Sequence, residues 1–325
     1  MITIVGTGAM ACLFAARLAA AGNPVAMLGS WPAGLAALRE HGVRILDQDG
    51  QTRAYPITVC EYGACEDFAQ SNGRDCVGNR FAIVLVKSWQ TARAAEQLVR
   101  CLPQDGLALT LQNGLGNQEV LAEALGWERV ALGVATLGAH LLEPGLLKAA
   151  GSGAVSLSAN PRLAPLAEVL RSAGLPVETV ADPLSLLWGK LVINAAINPL
   201  TALLRVPNGA LLARPSARSL MADLAREAAE VAAALGIRLP YPDPVEAVAA
   251  VARKTADNRS SMLQDVLRGA PTEVDAICGA IARTGDTVGI RTPTNRVLCR
   301  LVSALSSSEI AQRDWKETVS ESRQA

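Results

Sequence analysis

Apolar residues recur along this chain in two rhythms. Up to residue 181, short β-branched or aliphatic runs alternate with Ala/Leu-rich stretches of helical length. Ile2–Val5 is such a run. Gly6-Thr7-Gly8 follows, then a helical stretch from Ala9 to Ala21, Gly22 as its stop, and a second run at Pro24–Leu28. Further strands are expected at Val43–Asp47, Tyr55–Cys60, Phe81–Val86, Leu107–Leu111, Val130–Ala135 and Val177–Val180. Helices are expected between them at Ala33–Glu40, Thr91–Leu102, Gln118–Leu125 and Leu163–Ala173. Gly/Pro turns between short apolar runs in Gly138–Ser158 suggest antiparallel additions. From Asp182 the strand rhythm disappears. Long helices at Pro183–Asn198, Ser216–Leu235, Pro244–Arg259, Thr272–Gly285 and Asn295–Ser308 take over, and polar Glu317–Ala325 is expected to fray. The pattern predicts an α/β domain over 1–181 and an all-α domain over 182–325.

The turn that follows the first strand gives the N-terminal half its chemistry. Gly6-x-Gly8-x-x-Ala11 sits between a strand and a helix, the context a dinucleotide fingerprint requires. The first glycine permits the tight turn, the second lets the backbone approach a pyrophosphate, and a small residue at the third lets helix and strand pack closely. Amide groups of Ala9, Met10 and Ala11 at the start of the helix would face the phosphates. This reads as a Rossmann-like dinucleotide-binding domain. The end of the second strand usually carries an acid for NAD or a base for NADP. Here it reads Leu28-Gly29-Ser30-Trp31, which carries neither.

Composition narrows the partners. The 325 residues carry 30 Lys+Arg against 30 Asp+Glu, and aromatics are 3%. No net charge and few stacking rings argue against a nucleic-acid partner. Two histidines, His41 and His140, make a His-rich metal centre unattractive, and both suit loop or surface positions. Seven cysteines without a C-x-x-C read as reduced cytoplasmic thiols, and Cys60, Cys65 and Cys76 fit no common zinc spacing. The apolar N-terminus lacks a basic start and contains Arg17, unlike a signal peptide. No uninterrupted apolar run reaches spanning length, so no membrane helix is expected.

The second candidate site lies in the C-terminal half. Lys190, Asn194 and Asn198 are spaced i, i+4, i+8 and share one face of a helix whose other residues are mostly apolar, Trp188 among them. Such a helix should be buried. A buried lysine with two buried amides is costly unless paired, which makes it a site candidate; the bland alternative is that these groups satisfy backbone at a domain junction. Pro199 is expected to end or kink the helix. Lys87 and Asn113 each follow a predicted strand, where ligands meet doubly wound sheets.

Five segments in order then carry a family resemblance: GTGAMA at Gly6–Ala11, LVKSWQT at Leu85–Thr91, LQNGLGN at Leu111–Asn117, LWGKLVINAAINPLTALL at Leu187–Leu204 and NRSSMLQDVLRGAPTEVD at Asn258–Asp275. Together they resemble the ketopantoate reductase (2-dehydropantoate 2-reductase) family. The resemblance implies a Rossmann domain joined to an all-helical substrate domain, and NADPH-dependent reduction of 2-dehydropantoate to pantoate on the route to pantothenate and coenzyme A. It implies Lys190 as the catalytic lysine, and Asn194, Asn198 and Asn208 as substrate-binding amides. Ser261, with Asn258 before it, matches the segment that holds the substrate, and Asn113 matches a residue facing both nicotinamide and substrate. Gly6, Thr7, Gly8, Ala9, Met10, Ala11, Lys87 and Ala139 match cofactor-side positions, as does Glu273, which also reaches the substrate. The family commonly has Arg where this chain has Ser30, and a hydroxyl cannot grip a 2′-phosphate as a guanidinium does, which leaves NADH open beside NADPH.

The chemistry suits these residues. Reducing a 2-oxo acid needs a proton on the developing alkoxide. With only two histidines, neither in a motif, a lysine is the natural acid and its ammonium also steadies the oxyanion. Glu273 could accept from a substrate hydroxyl or pair with Lys190; its alternative is a solvated helix-start residue. Two other functions share these features: a reductase of a different 2-oxo acid, and a non-catalytic NAD(P)-sensing protein on the same fold. The Ala/Leu-rich C-terminal helices suit a homodimer interface.

Overall fold

A computed structural model describes residues 1–47, 49–63, 80–151 and 153–306. Cys65, Cys76 and the polar segment Glu317–Ala325 lie outside these. The chain forms two compact units, Met1–Gln112 with Gly116–Pro183, and Asn113–Leu115 with Leu184–Ala325.

The first unit is built on an eight-stranded sheet. Its centre is β1 (Ile2–Val5), flanked in parallel by β2 (Val25–Gly29) and β6 (Phe81–Val84). Outward from β2 lies β5 (Thr58–Glu61); outward from β6 lie β7 (Leu107–Thr110) and β8 (Val130–Ala135), all parallel. The order reverses between β1 and β6, the switch point where such sheets open a crevice at their carboxyl ends. β11 (Val155–Ser158) joins β8 antiparallel and carries β12 (Val177–Val180). Side chains alternate across the sheet and bury both faces. Ile2 and Ile4 pack with Phe14 and Leu18 of α1 (Ala9–Ala20). Val5 and Val84 pack on the other face with Leu98 of α3 (Thr91–Cys101) and Leu121 of α4 (Asn117–Leu125). The near-continuous apolar runs of β1, β7 and β8 follow from burial on two sides.

A smaller sheet sits in the same unit, in the order β4 (Thr52–Tyr55), β3 (Val43–Leu46), β10 (Leu146–Ala150), β9 (Gly138–Glu143). It corrects one expected element. The single strand expected over Tyr55–Cys60 is two strands in different sheets, because Pro56 has no N–H for a ladder and the chain leaves β4 there. The antiparallel additions occur, but β9 and β10 pair within the smaller sheet, not on the large one.

The second unit is helical, with a core of its own around Leu191, Ala195, Leu224, Ala228 and Ile281. Its central helix α6 (Pro183–Leu204) continues past Pro199, six residues beyond the expected end at Asn198. Proline deprives the Ala195 carbonyl of its usual donor, and the Cys278 thiol lies 3.9 Å from that oxygen. By length and hydropathy alone α6 could cross a membrane, yet 72% of its most apolar stretch is buried in protein, as in a core helix. Helix α7 (Pro215–Ala234) holds the start of α11 (Pro293–Ser306) through one carboxylate: Glu227 accepts from the Thr294 and Asn295 amides at 2.8 and 2.9 Å and from Asn295 Nδ2 at 2.8 Å. The helix expected over Pro244–Arg259 stops at Lys254 as α8 (Pro244–Lys254), and a short helix α9 (Ser261–Leu267), unforeseen in the sequence, follows. The helix expected over Thr272–Gly285 is a π-turn at Asp275–Gly279 leading into α10 (Ala280–Val288).

Candidate active site

The cofactor-side residues of the first unit gather at the carboxyl end of β1. Gly6 has φ +126°, and a Cβ there would press on the Leu85–Val86 backbone at 3.2 Å. Only glycine suits both conditions. Thr7 is buried, its methyl against Gly29 at the end of β2. Gly8 is exposed, caps α1 without any side-chain bond, and a Cβ on it would meet nothing within 4 Å. The first amides of α1, at Ala9, Met10 and Ala11, have no carbonyl of their own helix to donate to. The start of α1 is therefore an open, uncapped cradle for an anion. Cys12 is fully buried and its thiol pushed up to about 12 by burial, so it acts as packing.

Beside this cradle, Lys87 follows β6 and precedes a short 3₁₀ turn at Ser88–Gln90. Ser30 follows β2 half-buried, with an exposed Trp31 after it. Ala139 lies in β9 of the smaller sheet, opposite Ala149 of β10, and not on the strands that surround the glycine turn. His140 is on β9 and His41 ends α2 (Pro32–His41).

In the second unit, α6 presents Lys190, Asn194 and Asn198 on one face. Trp188 is core, at 3% exposure. Lys190 keeps a little accessible surface, but protein surrounds it closely enough that burial lowers its pKa to about 8, against a smaller opposing pull from Glu273. Glu273 is 6% exposed. The solvated helix-start alternative for it is thus excluded. Its carboxylate accepts from Asn113 Nδ2 at 3.4 Å. Asn113 arrives on a three-residue hook. Gly114 adopts φ +83°, a Cβ on it would collide with Ala276, and the Leu115 amide donates to the Ala276 carbonyl at 2.9 Å. A π-turn widens the helical ladder, and here a widened turn receives a donor from outside it. Lys190, Glu273 and Asn113 are the predicted residues that the second unit brings together.

A second group forms around Asn208. Its amide donates to the Asn258 carbonyl at 3.0 Å and its Nδ2 to Thr255 Oγ1 at 2.9 Å, while its Oδ1 is buried with no protein donor. Asn258 itself is exposed, and so is Ser261, the first residue of α9. The neighbouring serine does the structural work: Ser260 is 6% exposed, accepts from the Leu263 amide at 3.1 Å as the cap of α9, and lies 2.7 Å from Thr201 Oγ1. Thr201 Oγ1 also lies 3.0 and 2.9 Å from the Ile197 and Asn198 carbonyls of α6, acceptors for its proton when Ser260 donates to it. That pair ties α9 to the turn of α6 that carries Asn198. Sequence reasoning passed over Thr201 and Ser260, whose only signal was a serine before the apolar α9 stretch.

Sequence reasoning also passed over a buried polar cluster in the first unit. Gln112 Nε2 donates to the Val86 carbonyl at 3.0 Å and to Thr91 Oγ1 at 2.8 Å. Thr91 Oγ1 in turn lies 2.8 Å from the Ser88 carbonyl and 2.8 Å from Asn117 Oδ1. All three side chains are nine-tenths or more buried. Among the described residues no three His, Cys, Asp or Glu side chains gather as a metal site would require.

Comparison with known proteins covers both units. Residues 2–162 match the family model described as ketopantoate reductase PanE/ApbA, and residues 183–306 match that of its C-terminal part. The chain is 35% identical over 319 residues to a 2-dehydropantoate 2-reductase of Halobacterium salinarum, covering 96% of this chain and 99% of that protein. Among solved structures it resembles a PanE/ApbA family ketopantoate reductase from Ralstonia eutropha JMP134, with TM-score 0.85, 31% identity, and 96% and 100% of the two chains covered. It also resembles D-mandelate dehydrogenase in a ternary structure with NADH and anilino(oxo)acetate, with TM-score 0.84, 26% identity, and 94% and 98% covered.

Proposed function

The chain belongs to the PanE/ApbA ketopantoate reductase family, and from that premise we propose that it reduces 2-dehydropantoate to pantoate with NADPH, as an enzyme of the cytoplasm. The observation that carries the reading is Lys190, part-buried on α6, its pKa drawn down to about 8 by desolvation with Glu273 acting on it, while Asn113 donates to that same carboxylate.

The residues present fit a dinucleotide. The uncapped start of α1 and the empty space over Gly8 suit a pyrophosphate, held by Gly6, Thr7, Gly8 and the amides of Ala9, Met10 and Ala11. The family resemblance adds Lys87 and Ala139 of the first unit, and Asn113 and Glu273 of the second, as cofactor-side residues. When bound, the cofactor supplies the hydride that C2 of the keto acid accepts.

Lys190 gives the developing alkoxide its proton. A group of pKa about 8 is roughly nine-tenths charged at pH 7, so it is a competent acid and a local cation for the oxyanion. Burial lowers its hold on the proton and Glu273 raises it, which leaves the group near the pH where proton transfer is most efficient. Asn194 and Asn198 orient the substrate with neutral donors, which adds no charge to a buried face. The family resemblance gives Asn208, whose buried Oδ1 has no protein donor, to a substrate hydroxyl, and Asn258 and Ser261 offer exposed polar groups to the carboxylate. Ser30 offers no cation to a 2′-phosphate, so NADH is tested beside NADPH.

The likeness to D-mandelate dehydrogenase supports a second reading, reduction of a different 2-oxo acid by the same residues. Steady-state reduction of 2-dehydropantoate and a panel of 2-oxo acids, each with NADPH and NADH, decides between them. Highest kcat/KM on another acid selects the second reading. Cofactor binding without turnover of any acid overturns both and leaves a sensing role. A homodimer is part of the proposal, supported by exposed Val297 and Leu301 one turn apart on α11; a monomeric mass in solution overturns it.

A further inference from the structure

We propose that Gln112, Thr91 and Asn117 form a positioning device that pins the loops bearing Lys87 and Asn113 at both of their ends. The inference rests on the reading that these two loops serve the reaction. The backbone ladder between β6 and β7 stops short of both loops. β6 and β7 pair from Phe81 with Leu107 to Val84 with Thr110, and the Leu111 amide makes the last backbone bond, to the Val84 carbonyl at 3.3 Å. Beyond it one chain runs through Val86 to Lys87 and the other through Gln112 to Asn113.

The Gln112 side chain takes over from the ladder. One Nε2 proton goes to the Val86 carbonyl, directly before Lys87, at 3.0 Å. The other goes to Thr91 Oγ1 at 2.8 Å, at the first residue of α3, where the Lys87 loop ends. Its Oε1 accepts from Thr110 Oγ1 at 3.1 Å. The Thr91 hydroxyl has one proton and two acceptors in reach, the Ser88 carbonyl directly after Lys87 and Asn117 Oδ1, both at 2.8 Å. Asn117 is the first residue of α4, where the Asn113 loop ends. The Lys87 loop is thus tied to Gln112 at Val86 and Thr91, and the single Thr91 proton is shared between Ser88 of that loop and Asn117 at the end of the Asn113 loop.

The chemistry of each member is specific. A glutamate at 112 would have no proton for either Val86 or Thr91, and a valine at 91 would keep the shape and lose the junction. The side chains are 2%, 7% and 6% exposed for Thr91, Gln112 and Asn117, so water cannot substitute for a lost partner. A fully paired buried polar network fixes one geometry, which loops carrying reactive groups require.

The test compares Thr91→Val, Thr91→Ser and Gln112→Leu with the parent protein. Cofactor affinity is read from NADPH fluorescence on binding, which needs no turnover, and kcat and the keto-acid KM from steady-state kinetics. Thr91→Val should raise the cofactor Kd and lower kcat, each by about tenfold or more, with a smaller change in keto-acid KM. Thr91→Ser, which keeps the hydroxyl, should restore both. Kd and kcat unchanged in folded Thr91→Val, or losses in Thr91→Ser as large as in Thr91→Val, overturn the proposal. If Gln112→Leu does not fold, the Thr91 pair decides alone. A parent protein that binds NADPH but reduces no keto acid defeats the functional reading, while the Kd comparison still judges the device.

Discussion

Asn113 and Glu273, 160 positions apart in sequence, meet at 3.4 Å, amide to carboxylate. They meet because Gly114 lets the chain turn with φ +83° and lets Leu115 reach the Ala276 carbonyl. A Cβ at position 114 would stand 2.6 Å from that carbonyl oxygen. Gly114→Ala therefore incurs both a left-handed backbone cost of about 1–2 kcal/mol and a displaced hook. We expect a lower melting temperature and a kcat reduced about tenfold or more, since a shift of an ångström at a reacting centre has effects of that size. Calorimetry and steady-state rates check it, and a parent-like kcat would show that the hook does not set Asn113.

Lys190→Ala should lower kcat by about two or more orders of magnitude, the size of a lost general acid. The pH profile carries independent information. The acid form of Lys190 is required for reduction, and it prevails below its pKa of about 8. Forward kcat should hold steady below that pH and fall above it, with the falling limb absent in the alanine variant.

Glu273→Gln probes the same limb in the opposite sense. The carboxylate raises the lysine's proton affinity, so removing its charge leaves burial unopposed and lowers that affinity further. The falling limb should move to lower pH. A limb that stays in place would mean that Glu273 does not act on Lys190 during turnover.

Gly8→Val tests the anion cradle. Gly8 has φ −83° and ψ −178°, which any residue adopts, and space lies open beside it. The variant should fold as the parent does and bind NADPH about tenfold or more weakly, equal to about 1.4 kcal/mol. Equal affinity in titrations would remove the pyrophosphate from this turn.

Glu227→Ala speaks to stability alone. It strips the Thr294 and Asn295 amides, and the fully buried Asn295 side chain, of a charged acceptor. A loss of about 2–4 kcal/mol is expected from urea unfolding, given about 1.5–3 kcal/mol for a bond to a charged group and several bonds here.

The sequence shows the elements whose rule is local. The strand–glycine–helix opening and the single polar face of α6 are periodicity and turn chemistry, and both are found in place. What it does not show depends on partners far along the chain. Pro199 would end an isolated helix, yet α6 continues with the Cys278 thiol, 83 residues away in sequence, near the carbonyl that proline strands. The π-turn at Asp275–Gly279 forms where Leu115 supplies a donor, so a uniform helix was the natural expectation from residues 272–285 alone. Ser260 and Ser261 are indistinguishable as letters; burial separates them. Gln112 and Thr91 lie in the LQNGLGN and LVKSWQT segments, but nothing in their spacing reveals that they share a proton network.

The excursion of Asn113–Leu115 into the second unit bears on whether that unit is severable. A fragment beginning at Leu184 would retain every helix of the unit and the whole of the matched C-terminal family region but one residue. It would also lack the amide that pairs with Ala276 and the Leu115 side chain packed on its core. A single cut directly before Leu184 leaves three residues of the second unit with the first, because chain order places them inside it.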